Sequence, residues 1–577
     1  MQLRICLVSP FSWSKPHEVN EHVDGVAVAL RALGHTVTVL APSDRISDLV
    51  AGRRILERGI ADEEVVAIGP AVPVSRSSRL GLPVGVRANL AVALNQGFDV
   101  VHGFEPGLPS LSSVALLEAR TLTAATFLST ERLAYPSRRN RRVRLLARVD
   151  ALLATSEETA EAASRRFPGD YRVVSVGVDP ARFAPGDKRS LIAVETNAEG
   201  LASARAALRS LRELPDWELT LVRMTPLAGR PAIPLALRDR VRLRSLRRPE
   251  NRASLLAEAA VFAPAAEGSA RLRLDAMAAG CAIADPPGAD EQPELVGAAI
   301  ARFAEDAALR ERLGADARGA AEEQSFARVA AELDEVYGRL RRRRRAVPPA
   351  GDPLADRDWI CADLHMHTSW SSDCATEPAA LVDHAIAQGL GAIAVTDHNV
   401  FGGALEAVEL ARGRGLIVIP GEEIKTDGQG EVIGLFLTEE IPRGLSFADT
   451  LAAIREQGGI VYVPHPFDRM HTIPEPATLH RHLGEIDVLE VYNARLLFEA
   501  YNDEALRFAR KYGLLQGAGS DAHVLQGVGT GALRMRRFDG PEEFLLSLRT
   551  AEVLRRPKSL AYLQSLKWVA QVKEKVR

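Results

Sequence analysis

The residues of this chain best suited to metal chemistry lie in five short clusters between residues 363 and 523. Each cluster contains histidine or carboxylate side chains and ends or interrupts an apolar run. The five clusters are Asp363–His367, Thr396–His398, Gly421–Glu423, Pro464–Pro466 and Ser520–His523. Imidazole and carboxylate groups are the protein ligands of Zn²⁺, Mn²⁺ and Fe²⁺. A single His-x-His pair can fill a core, but five such clusters in one segment predict a metal site.

The elements that must position these clusters are five predicted β-strands. Their apolar runs are Trp359–Leu364, Ala392–Val395, Leu416–Ile419, Ile460–Val463 and Leu514–Ala518. Side chains at the ends of such strands converge on one mouth of a barrel, which is where α/β barrels keep their chemistry. We therefore expect the five clusters to meet at one mouth.

The length and composition indicate a globular protein of two or three domains. A chain of 577 residues is too long for one hydrophobic core. Its 46% hydrophobic and 25% charged residues are ordinary globular values. The net charge of −3 excludes a global cationic field, so no stable nucleic-acid partner is indicated.

Cysteine usage and hydropathy favour a soluble cytoplasmic protein. The cysteines show no Cys-x-x-Cys spacing, which suits a reducing compartment and argues against a disulfide scaffold. They are Cys6, Cys281, Cys361 and Cys374. The short apolar run Met1–Pro10 predicts a first strand rather than a signal sequence. No apolar stretch reaches the roughly 18 residues that span a bilayer, so no transmembrane segment is expected.

Residues Arg341–Asp358 predict a linker. The segment opens with five arginines and continues with closely spaced proline and glycine, without an apolar period. The arginine run could bind acidic lipid or nucleic acid. Because the run is single and short, we favour the solvated end of the preceding helix, where cations also suit the helix dipole.

Before the linker, apolar segments alternate between strand and helix periods. The first predicted elements are a strand at Leu3–Ser9, a helix at Val19–Leu33 that ends at Gly34, and strands at Thr36–Ala41 and Asp99–His102. This βαβ rhythm implies a parallel, doubly wound sheet. A second such rhythm runs from about Leu191 to Ala330. We therefore predict Rossmann-like domains over residues 1–185 and 186–340, the linker over 341–358, and a further domain over 359–577.

The N-terminal segments resemble a known family. The segments "VNEHVDGVAVALRALGHTVTVLAPSD", "FDVVHGFEPGLPSLSSVALLEART" and "SVGVDPARFAPG" are similar to retaining GT-B glycosyltransferases of the phosphatidylinositol mannosyltransferase type. The resemblance covers roughly residues 1–340 and implies two Rossmann-like domains with a nucleotide-sugar cleft. A nucleotide sugar is therefore a possible ligand.

Several positions depart from the pattern of that family. The family has a Gly-Gly turn before its first helix, where this chain has His17 and Glu18, and a carboxylate near a diphosphate is repulsive. The family histidine of the "ATFH" segment is replaced by Leu128. The family also clamps the diphosphate with an arginine and a lysine, but the corresponding stretch Ala193–Gly200 contains no cation. These losses remove the main electrostatic contribution to that chemistry.

The acidic pair near the nucleotide survives only in part, as Glu267 and Asp275. Two interpretations follow. Either this half is a non-catalytic descendant that docks a partner, a lipid head group or the other domain, or it transfers sugars with altered residues. The missing cations favour the first interpretation, and the acidic pair can be a structural remnant at a helix N-terminus.

The C-terminal segments resemble the PHP (polymerase and histidinol phosphatase) family of metal-dependent phosphoesterases. The motifs "DLHMH", "AVTDHN", "IPGEEI", "VPHPFD", "EVYN" and "GSDAH" occur in this order. The resemblance implies a distorted (β/α)₇ barrel with two or three divalent ions, Mn²⁺, Zn²⁺ or Fe²⁺, at its C-terminal mouth. The whole chain would then be an α/β protein with a GT-B-like double Rossmann region followed by a PHP barrel.

The resemblance also implies the metal ligands. The first ion would be held by His365, His367, Glu423 and Asp521; the second by Glu423, which bridges, and His465; the third by Asp373, His398 and His523. Among these, Glu423, His465 and Asp521 are the predicted catalytic residues. Several relatives carry a histidine where this chain has Glu431, and a carboxylate there favours Mn²⁺ or Mg²⁺ over Zn²⁺. A solvated glutamate at a strand end is the alternative for Glu431.

Supporting and substrate-binding residues complete the predicted site. Asp363 and Asp397 are expected to orient ligating imidazoles through the second ring nitrogen. Arg469 and Arg495 are candidates to bind a phosphate, and Asn493 is a candidate to bind substrate; for each, an exposed or turn-capping role is the alternative.

The predicted function is metal-dependent hydrolysis of nucleotide phosphates, oligonucleotide 5′ ends or small phosphomonoesters. A degenerate glycosyltransferase-like region would accompany it. The alternatives are an active nucleotide-sugar transferase with an attached PHP hydrolase, and a non-enzymatic scaffold. The complete ligand set argues against the scaffold, and the missing cations argue against the transferase.

Overall fold

The computed structural model describes residues 2–61, 65–73, 79–81, 86–197, 201–224, 229–266, 268–289, 291–343 and 351–556. The chain separates into two compact units, Met1–Leu340 and Arg341–Arg577. The first unit contains two sheets and the second contains one. The predicted domain boundaries remain predictions, since the division into units does not resolve them individually.

The first sheet of the N-terminal unit is a doubly wound sheet. Its strands are β1 (Arg4–Val8), β2 (Thr36–Ser43), β3 (Val65–Pro73), β4 (Arg79–Gly81), β5 (Val100–Phe104), β6 (Leu122–Phe127), β7 (Ala151–Ala154) and β8 (Tyr171–Val173). Its helices are α1 (Glu18–Ala32), α2 (Ile46–Arg58), α3 (Arg87–Leu94), α4 (Leu111–Glu118), α5 (Arg139–Leu146) and α6 (Glu157–Arg166). The order is β4-β3-β2-β1-β5-β6-β7-β8, and only the β3–β4 pair is antiparallel among the described strands. Near-continuous apolar runs such as β1 suit a parallel sheet that is covered on both faces.

The second sheet of this unit repeats the same architecture. Its parallel strands are β9 (Arg189–Thr196), β10 (Glu218–Arg223), β11 (Val241–Ser245), β12 (Ala259–Ala263) and β13 (Ala282–Ile283). Its helices are α7 (Leu201–Ser210), α8 (Pro249–Glu258), α9 (Ala270–Ala278), α10 (Glu294–Glu305), α11 (Ala307–Glu322) and α12 (Phe326–Arg343). The strand order is β11-β10-β9-β12-β13. The predicted pair of Rossmann-like sheets is therefore present.

Helix α12 returns from the second sheet to the first. The Tyr337 hydroxyl lies 2.6 Å from Nδ1 of His102, a buried residue of β5. The other ring nitrogen of His102 lies 2.7 Å from the hydroxyl oxygen of Thr126. These buried contacts join the end of this unit to its first sheet.

The C-terminal unit is built on a nine-stranded sheet. Its strands are β14 (Trp359–Met366), β15 (Ala392–His398), β16 (Ile417–Lys425), β17 (Glu431–Leu435), β18 (Ile460–Val463), β19 (Val488–Asn493), β20 (Leu515–Gly519), β21 (Gly531–Arg536) and β22 (Glu552–Arg555). Its helices are α13 (Pro378–Ala387), α14 (Gly402–Ala411), α15 (Phe447–Glu456), α16 (Pro476–Arg481), α17 (Glu499–Tyr512) and α18 (Gly540–Leu548).

Strands β14 to β20 are neighbours in chain order and form a nearly closed barrel. Strand β17 is antiparallel to β16 and β18, whereas the other neighbours in this series are parallel. The segment after β20 returns to β14, where Asp521 donates its N–H to the His365 carbonyl at 2.8 Å. His367 in turn donates its N–H to the Ala522 carbonyl at 3.1 Å. This architecture confirms the predicted distorted barrel.

The strands that precede the clusters differ from prediction mainly at their ends. Strand β18 has the predicted bounds, but β14, β15 and β16 continue through the motifs to Met366, His398 and Lys425. The first three arginines of the predicted linker continue α12, in agreement with the interpretation of the arginine run as the end of the preceding helix. Residues 344–350 of the linker lie outside the described residues. Further on, Asp352 accepts a 2.8 Å hydrogen bond from Arg536 of β21.

Membrane-spanning helices are not found in the described part of the chain, where every helix is too short or too polar to cross a bilayer.

Candidate metal centre

Nine side chains predicted to bind metal lie in one cluster at the mouth of the barrel. They are His365, His367, Asp373, His398, Glu423, Glu431, His465, Asp521 and His523. Parallel strands bring the ends of β14, β15 and β16 to this mouth. Because β17 is antiparallel to β16, its first residue, Glu431, also lies there. One end of the barrel therefore collects ligand-type groups from segments that are far apart in the sequence.

Glu423 lies at the centre of the cluster. Its Oε2 atom is 3.1 Å from Nδ1 of His398, 3.4 Å from Nε2 of His365 and 3.5 Å from Nε2 of His367. Its Oε1 atom is 3.1 Å from Nε2 of His465. One carboxylate thus contacts four imidazoles with both of its oxygens, which is the arrangement required of a group that bridges two ions.

The neighbouring Glu422 points to the other face of β16. Its Oε2 atom accepts a 2.9 Å hydrogen bond from the backbone of Ile441. Successive side chains of a strand alternate between its two faces, so only one of two adjacent glutamates can face the mouth. This alternation explains why Glu423, rather than Glu422, contacts the imidazoles.

The ligand atoms of four sets of three residues each lie within 4.8 Å of one another. The sets are His365, His367 and Asp521; His365, Glu423 and His465; His398, Glu423 and Glu431; and His367, His398 and His523. Asp373 adjoins the last set, because its Oδ2 atom lies 2.9 Å from Nε2 of His523. The Oε2 atom of Glu431 lies 3.8 Å from Nε2 of His465. The sets share members, so neighbouring ions would share ligands.

The donor set fits divalent cations. His367 is fully buried, and its Nε2 atom has no hydrogen-bond partner within the described chain. That nitrogen lies 3.5 Å from Oε2 of Glu423 and 3.5 Å from Oδ1 of Asp521. A buried polar atom without a partner is costly, and a cation between these three groups would satisfy all of them. Mixed nitrogen and oxygen donors suit Zn²⁺, Mn²⁺ and Fe²⁺.

The pKa values of both Glu423 and His367 are lowered within the cluster. Burial alone would raise the pKa of Glu423, but the nearby His365 and His398 hold that pKa well below its usual range. Burial lowers the pKa of His367, and the neighbouring His523 lowers it further, to well below its usual value. Ligands must be deprotonated to bind metal, and both groups therefore favour the binding form. Burial and the nearby Glu423 carboxylate raise the pKa of Glu431, because two negative charges lie close together there.

Glu490 is a functional candidate that the sequence analysis missed. This buried residue of β19 places its Oε1 atom 3.1 Å from Nδ1 of His365. Oε1 also accepts a 3.0 Å hydrogen bond from the Tyr462 hydroxyl, and Oε2 accepts one of 2.8 Å from the His465 backbone. Glu490 therefore fixes the orientation of the His365 ring. The only sequence signal was its place in the quoted "EVYN" motif.

The two aspartates expected to orient imidazoles act differently. Asp363 accepts hydrogen bonds from the backbones of Ser520 and Gly529, at 2.9 and 2.8 Å, and so holds the loop that carries Asp521. Burial raises the pKa of Asp363 to about 6. Asp397 accepts a 2.7 Å hydrogen bond from the hydroxyl of Ser371, whose oxygen lies 3.3 Å from Nδ1 of His367.

Neither aspartate therefore meets an imidazole directly in these hydrogen bonds. Asp397 reaches the His367 ring through one hydroxyl, and Asp363 acts on the backbone. Sequence spacing gave no information about these side-chain directions.

The three predicted substrate-binding residues have different environments. Arg495 donates from Nη1 to Oδ1 of Asp521 at 3.0 Å, and the same nitrogen lies 3.0 Å from Nδ1 of His523. Asn493 is buried and donates to Glu490 and Asp521 at 3.0 and 3.3 Å, which is a supporting position. Arg469 is exposed, and no contact joins it to the cluster within the described segments. The structure thus brings Arg495 and Asn493 to the cluster.

Backbone strain accompanies two of the candidate ligands. His465 and Asp521 have φ values of 27° and 51°, in a region that non-glycine residues rarely adopt. Gly519 must be a glycine, because a Cβ there would lie 2.3 Å from Cβ of His365. Positive φ values such as those of His465 and Asp521 cost free energy and persist where the surrounding structure imposes them, as at functional sites.

In the N-terminal unit, the remnant acidic residue Asp275 is part of an internal ion network. Glu267, the other remnant, lies outside the described residues. Asp275 is fully buried and accepts a 2.6 Å hydrogen bond from Nε of Arg252, which also pairs with Glu21 at 2.5 Å. Burial raises the pKa of Asp275 to about 6. Asp275 therefore has a structural partner in place.

The stretch that lacks the expected cations contributes a buried carboxylate instead. Residues 198–200 of this stretch lie outside the described residues, but Glu195 is described. Its Oε1 atom accepts a 2.9 Å hydrogen bond from the backbone of Ser269, the residue that caps α9. The protein therefore places its own anion against a helix N-terminus, a place that favours negative charge. At the first helix, Glu18 pairs with Arg132 at 2.5 Å.

Comparison with known proteins agrees with this division of the chain. The model of the PHP domain matches residues 363–508, and the PHP-associated model matches residues 499–553. The model of Glycosyltransferase Family 4 matches residues 19–182.

Individual relatives cover different shares of the chain. An uncharacterized protein of Methanocaldococcus jannaschii is 36% identical over 211 residues, which are 34% of this chain and 84% of that protein. A phosphatidyl-myo-inositol mannosyltransferase of Propionibacterium freudenreichii is 36% identical over 187 residues, which are 31% of this chain. The chain spans 48% of the length of that mannosyltransferase. The structure of an amidohydrolase from Chromobacterium violaceum is 19% identical, with a TM-score of 0.25, over 34% of this chain and 98% of that one.

The barrel and its donor cluster define a metal-dependent hydrolase of the PHP type, accompanied by a glycosyltransferase-like region. Residues 363–508 match the PHP domain and residues 499–553 its associated segment, whereas residues 19–182 match Glycosyltransferase Family 4. Both resemblances seen in the sequence are thereby confirmed, and the PHP match implies divalent metal ions.

Proposed function

We propose that the C-terminal unit hydrolyses phosphate esters with two or three divalent ions held at the mouth of its barrel. The observation that carries this proposal is the position of Glu423, whose two oxygens contact four imidazoles. The buried, unpartnered Nε2 atom of His367 supports it independently. Packing alone gives no reason to collect so many ionisable groups in one buried place.

The proposed ligand sets follow the distances within the cluster. His365, His367, Glu423 and Asp521 would hold one ion; Glu423, Glu431 and His465 a second; and Asp373, His398 and His523 a third. When bound, closely spaced divalent ions neutralise phosphate charge and lower the pKa of water. The carboxylate oxygens of Glu423, Glu431 and Asp373 make Mn²⁺ a suitable ion alongside Zn²⁺ and Fe²⁺.

Arg495 is the residue that we assign to phosphate binding. Its Nη1 atom is held by Asp521, and 29% of its side chain is exposed. A guanidinium has five N–H donors, so the remaining donors can bind the oxygens of a phosphate. Because Asp521 fixes one edge of the group, little conformational entropy is lost when phosphate binds. Small phosphomonoesters and nucleotides are the proposed substrates.

The test of this function uses the full-length protein and a panel of phosphate esters. Chelator should abolish hydrolysis, and Mn²⁺ should restore it. The Glu423→Gln variant, purified in the same way, controls for contaminating phosphatases and should be inactive. Elemental analysis that finds less than one metal per chain after reconstitution would contradict the proposal.

We further propose that the N-terminal unit transfers no sugar. The carboxylate of Glu195 accepts a hydrogen bond from the backbone N–H of Ser269, and that of Asp275 accepts one from Arg252. Both observations disfavour the alternative of a bifunctional transferase, because both carboxylates already have partners inside the protein. A cytoplasmic location remains a prediction.

A further inference from the structure

A second carboxylate–imidazole pair lies beside the metal cluster, in the loop that follows β18. The Oδ2 atom of Asp468 lies 2.7 Å from Nδ1 of His471. A short turn fixes the pair, because His471 donates its N–H to the Asp468 carbonyl at 3.1 Å. Asp468 likewise donates its N–H to the His465 carbonyl at 3.1 Å, which ties the turn to the cluster.

The His471 imidazole stands at the edge of the cluster. Its ring centroid lies 6.1 Å from that of His465, and 65% of its side chain is exposed. Asp468 engages Nδ1, and no hydrogen bond from the described residues involves Nε2. Nε2 of His471 is therefore accessible to solvent or substrate, whereas Nδ1 is hydrogen-bonded to the Asp468 carboxylate.

The burial of the two partners distinguishes this pair from a surface ion pair. The Asp468 side chain is only 5% exposed. Burying a carboxylate costs free energy unless it has partners. Oδ1 of Asp468 accepts a 3.0 Å hydrogen bond from the Met470 N–H, and Oδ2 pairs with the exposed His471 imidazole beside the proposed reaction site. A carboxylate that holds Nδ1 of a histidine fixes the tautomer and the direction of the ring.

The same chain contains a pair with the opposite burial. His482 and Glu485 are also three residues apart, with 3.1 Å between Nδ1 and Oε1. There the imidazole is the buried partner, with 11% of its side chain exposed against 53% for the carboxylate. That pair has the burial of a structural contact and provides a matched control.

We propose that His471 donates a proton from Nε2 to the leaving oxygen of the phosphate ester, and that Asp468 positions its ring. This inference rests on the proposed phosphoesterase function. A bond forms between the oxygen of water and phosphorus, while the bond between phosphorus and the leaving oxygen breaks. The electron pair of the broken bond stays on the leaving oxygen, which takes the proton of His471. The attacking water loses a proton to solvent, His471 regains one from solvent, and nothing is oxidised or reduced.

The requirement for this proton depends on the leaving group. An alkoxide is a poor leaving group and needs the proton in the transition state, whereas 4-nitrophenolate leaves without one. General acid catalysis of this kind contributes typically about 10²- to 10⁴-fold in rate. Removal of the donor should therefore slow alkyl esters far more than nitrophenyl esters.

The experiment compares glycerol 2-phosphate and 4-nitrophenyl phosphate with the full-length, Mn²⁺-loaded enzyme. His471→Gln should reduce kcat for the glycerol ester by about 10²-fold or more, and for the nitrophenyl ester by less than about tenfold. Asp468→Asn should shift the ratio of the two rates in the same direction. His482→Gln should leave the ratio unchanged, and metal content should stay at the wild-type value in all variants. Added imidazole should restore hydrolysis of the glycerol ester by His471→Ala.

Equal losses on both esters, or no loss on either, would overturn the role of His471 while the phosphoesterase function stands. A fall in metal content in His471→Gln would overturn it too, since the residue would then be structural. A wild-type enzyme that hydrolyses neither ester would instead overturn the proposed function itself.

Discussion

The Oε1 atom of Glu490 lies 3.1 Å from Nδ1 of His365, and both side chains are almost completely buried. The contact turns Nε2 of the same ring toward Glu423, at 3.4 Å. Burial lowers the pKa of His365, but the carboxylates of Glu423, Glu490 and Asp521 together raise it well above its usual value. A partner of this kind increases the basicity of a ligating imidazole and fixes its direction.

Replacement of Glu490 should therefore weaken metal binding without removing a ligand. For Glu490→Gln we expect a loss of about 10- to 100-fold in the affinity of the most tightly held ion. Competition with a chromophoric chelator measures that affinity. Glu543→Gln, which alters a carboxylate paired with Arg357, is the control and should bind metal as the wild type does. Equal affinities in both variants would show that Glu490 has no influence on the ions.

The two adjacent glutamates of β16 should differ sharply in their effect on activity. Glu423→Ala removes a carboxylate that contacts four imidazoles, and a rate loss of about 10³-fold or more is expected. Glu422→Ala removes a side chain on the other face of the strand and should stay within about tenfold of the wild-type rate. Steady-state hydrolysis at saturating Mn²⁺ measures both. If Glu423→Ala stays within tenfold of wild type, the bridging role is misassigned.

The residues of the candidate site differ in how well the sequence predicted them. His365, His367 and Asp521 could be found because ligand-type residues recur after apolar runs. Glu490 could not, because it lies inside an apolar strand and its partner is 125 residues away. Its contact with His365 exists only once the barrel is nearly closed.

The ends of the strands were likewise not fully predictable from the sequence. The apolar pattern predicts a strand that ends at Leu364, but β14 continues to Met366, because His365 is a strand residue that faces the mouth. Polar residues inside strands are invisible to hydrophobic periodicity. The direction of the Asp363 side chain is likewise set by the backbone amides of Ser520 and Gly529, which belong to a distant segment.

Substitution of Glu431 should change metal preference. The Oε2 atom of this residue lies 3.8 Å from Nε2 of His465, so it can complete the second ligand set. Glu431→His should shift preference toward Zn²⁺, because imidazole suits Zn²⁺ better than a carboxylate suits it. Glu431→Ala should lower metal content by one ion and reduce activity, while the ion at His365 and His367 stays bound. Elemental analysis and activity assays of both variants check this; unchanged values would make Glu431 a surface residue.

The N-terminal unit should lose stability in mild acid. Burial lowers the pKa of His22 to about 3, and that of His102 to about 3 as well. Above pH 6.5 both rings are neutral in the folded and unfolded chain. Below it only the unfolded chain binds the protons, so stability falls as pH falls from 6.5 toward 3. The expected slope is up to about 1.4 kcal/mol per pH unit for each ring.

His22→Phe isolates one of these contributions. The Nδ1 atom of His22 has no hydrogen-bond partner in the described structure, and its ring packs near Phe104 and Phe326. Between pH 7.5 and pH 5 the wild type should lose roughly 2 kcal/mol more than the variant. Urea unfolding, monitored by hydrogen exchange of α1, gives the free energy of unfolding of each protein at each pH. A difference between the two proteins that does not change with pH would contradict the buried, neutral state of His22.

The N-terminal unit should also fail to bind nucleotide sugars. Glu195 is buried, and its Oε1 atom accepts the N–H of Ser269 at the start of α9. A helix N-terminus attracts a phosphate through such N–H groups, and here an internal carboxylate already uses one of them. A diphosphate brought to this place would meet a like charge, and the expected arginine and lysine are absent from Ala193–Gly200.

Calorimetry with UDP- and GDP-sugars should consequently detect no binding at sub-millimolar concentration. Glu267→Ala should leave phosphoesterase activity at the wild-type value, because the acidic remnant would serve no reaction. Glu423→Ala is the comparison for Glu267→Ala in the same assay, since it should abolish hydrolysis. Saturable binding of one nucleotide sugar, with a transfer activity that Glu267→Ala destroys, would establish two active enzymes in one chain. In that case the carboxylate of Glu195 would have to move away from Ser269 when the sugar nucleotide binds. Glu195→Gln would make this movement easier and should therefore tighten binding.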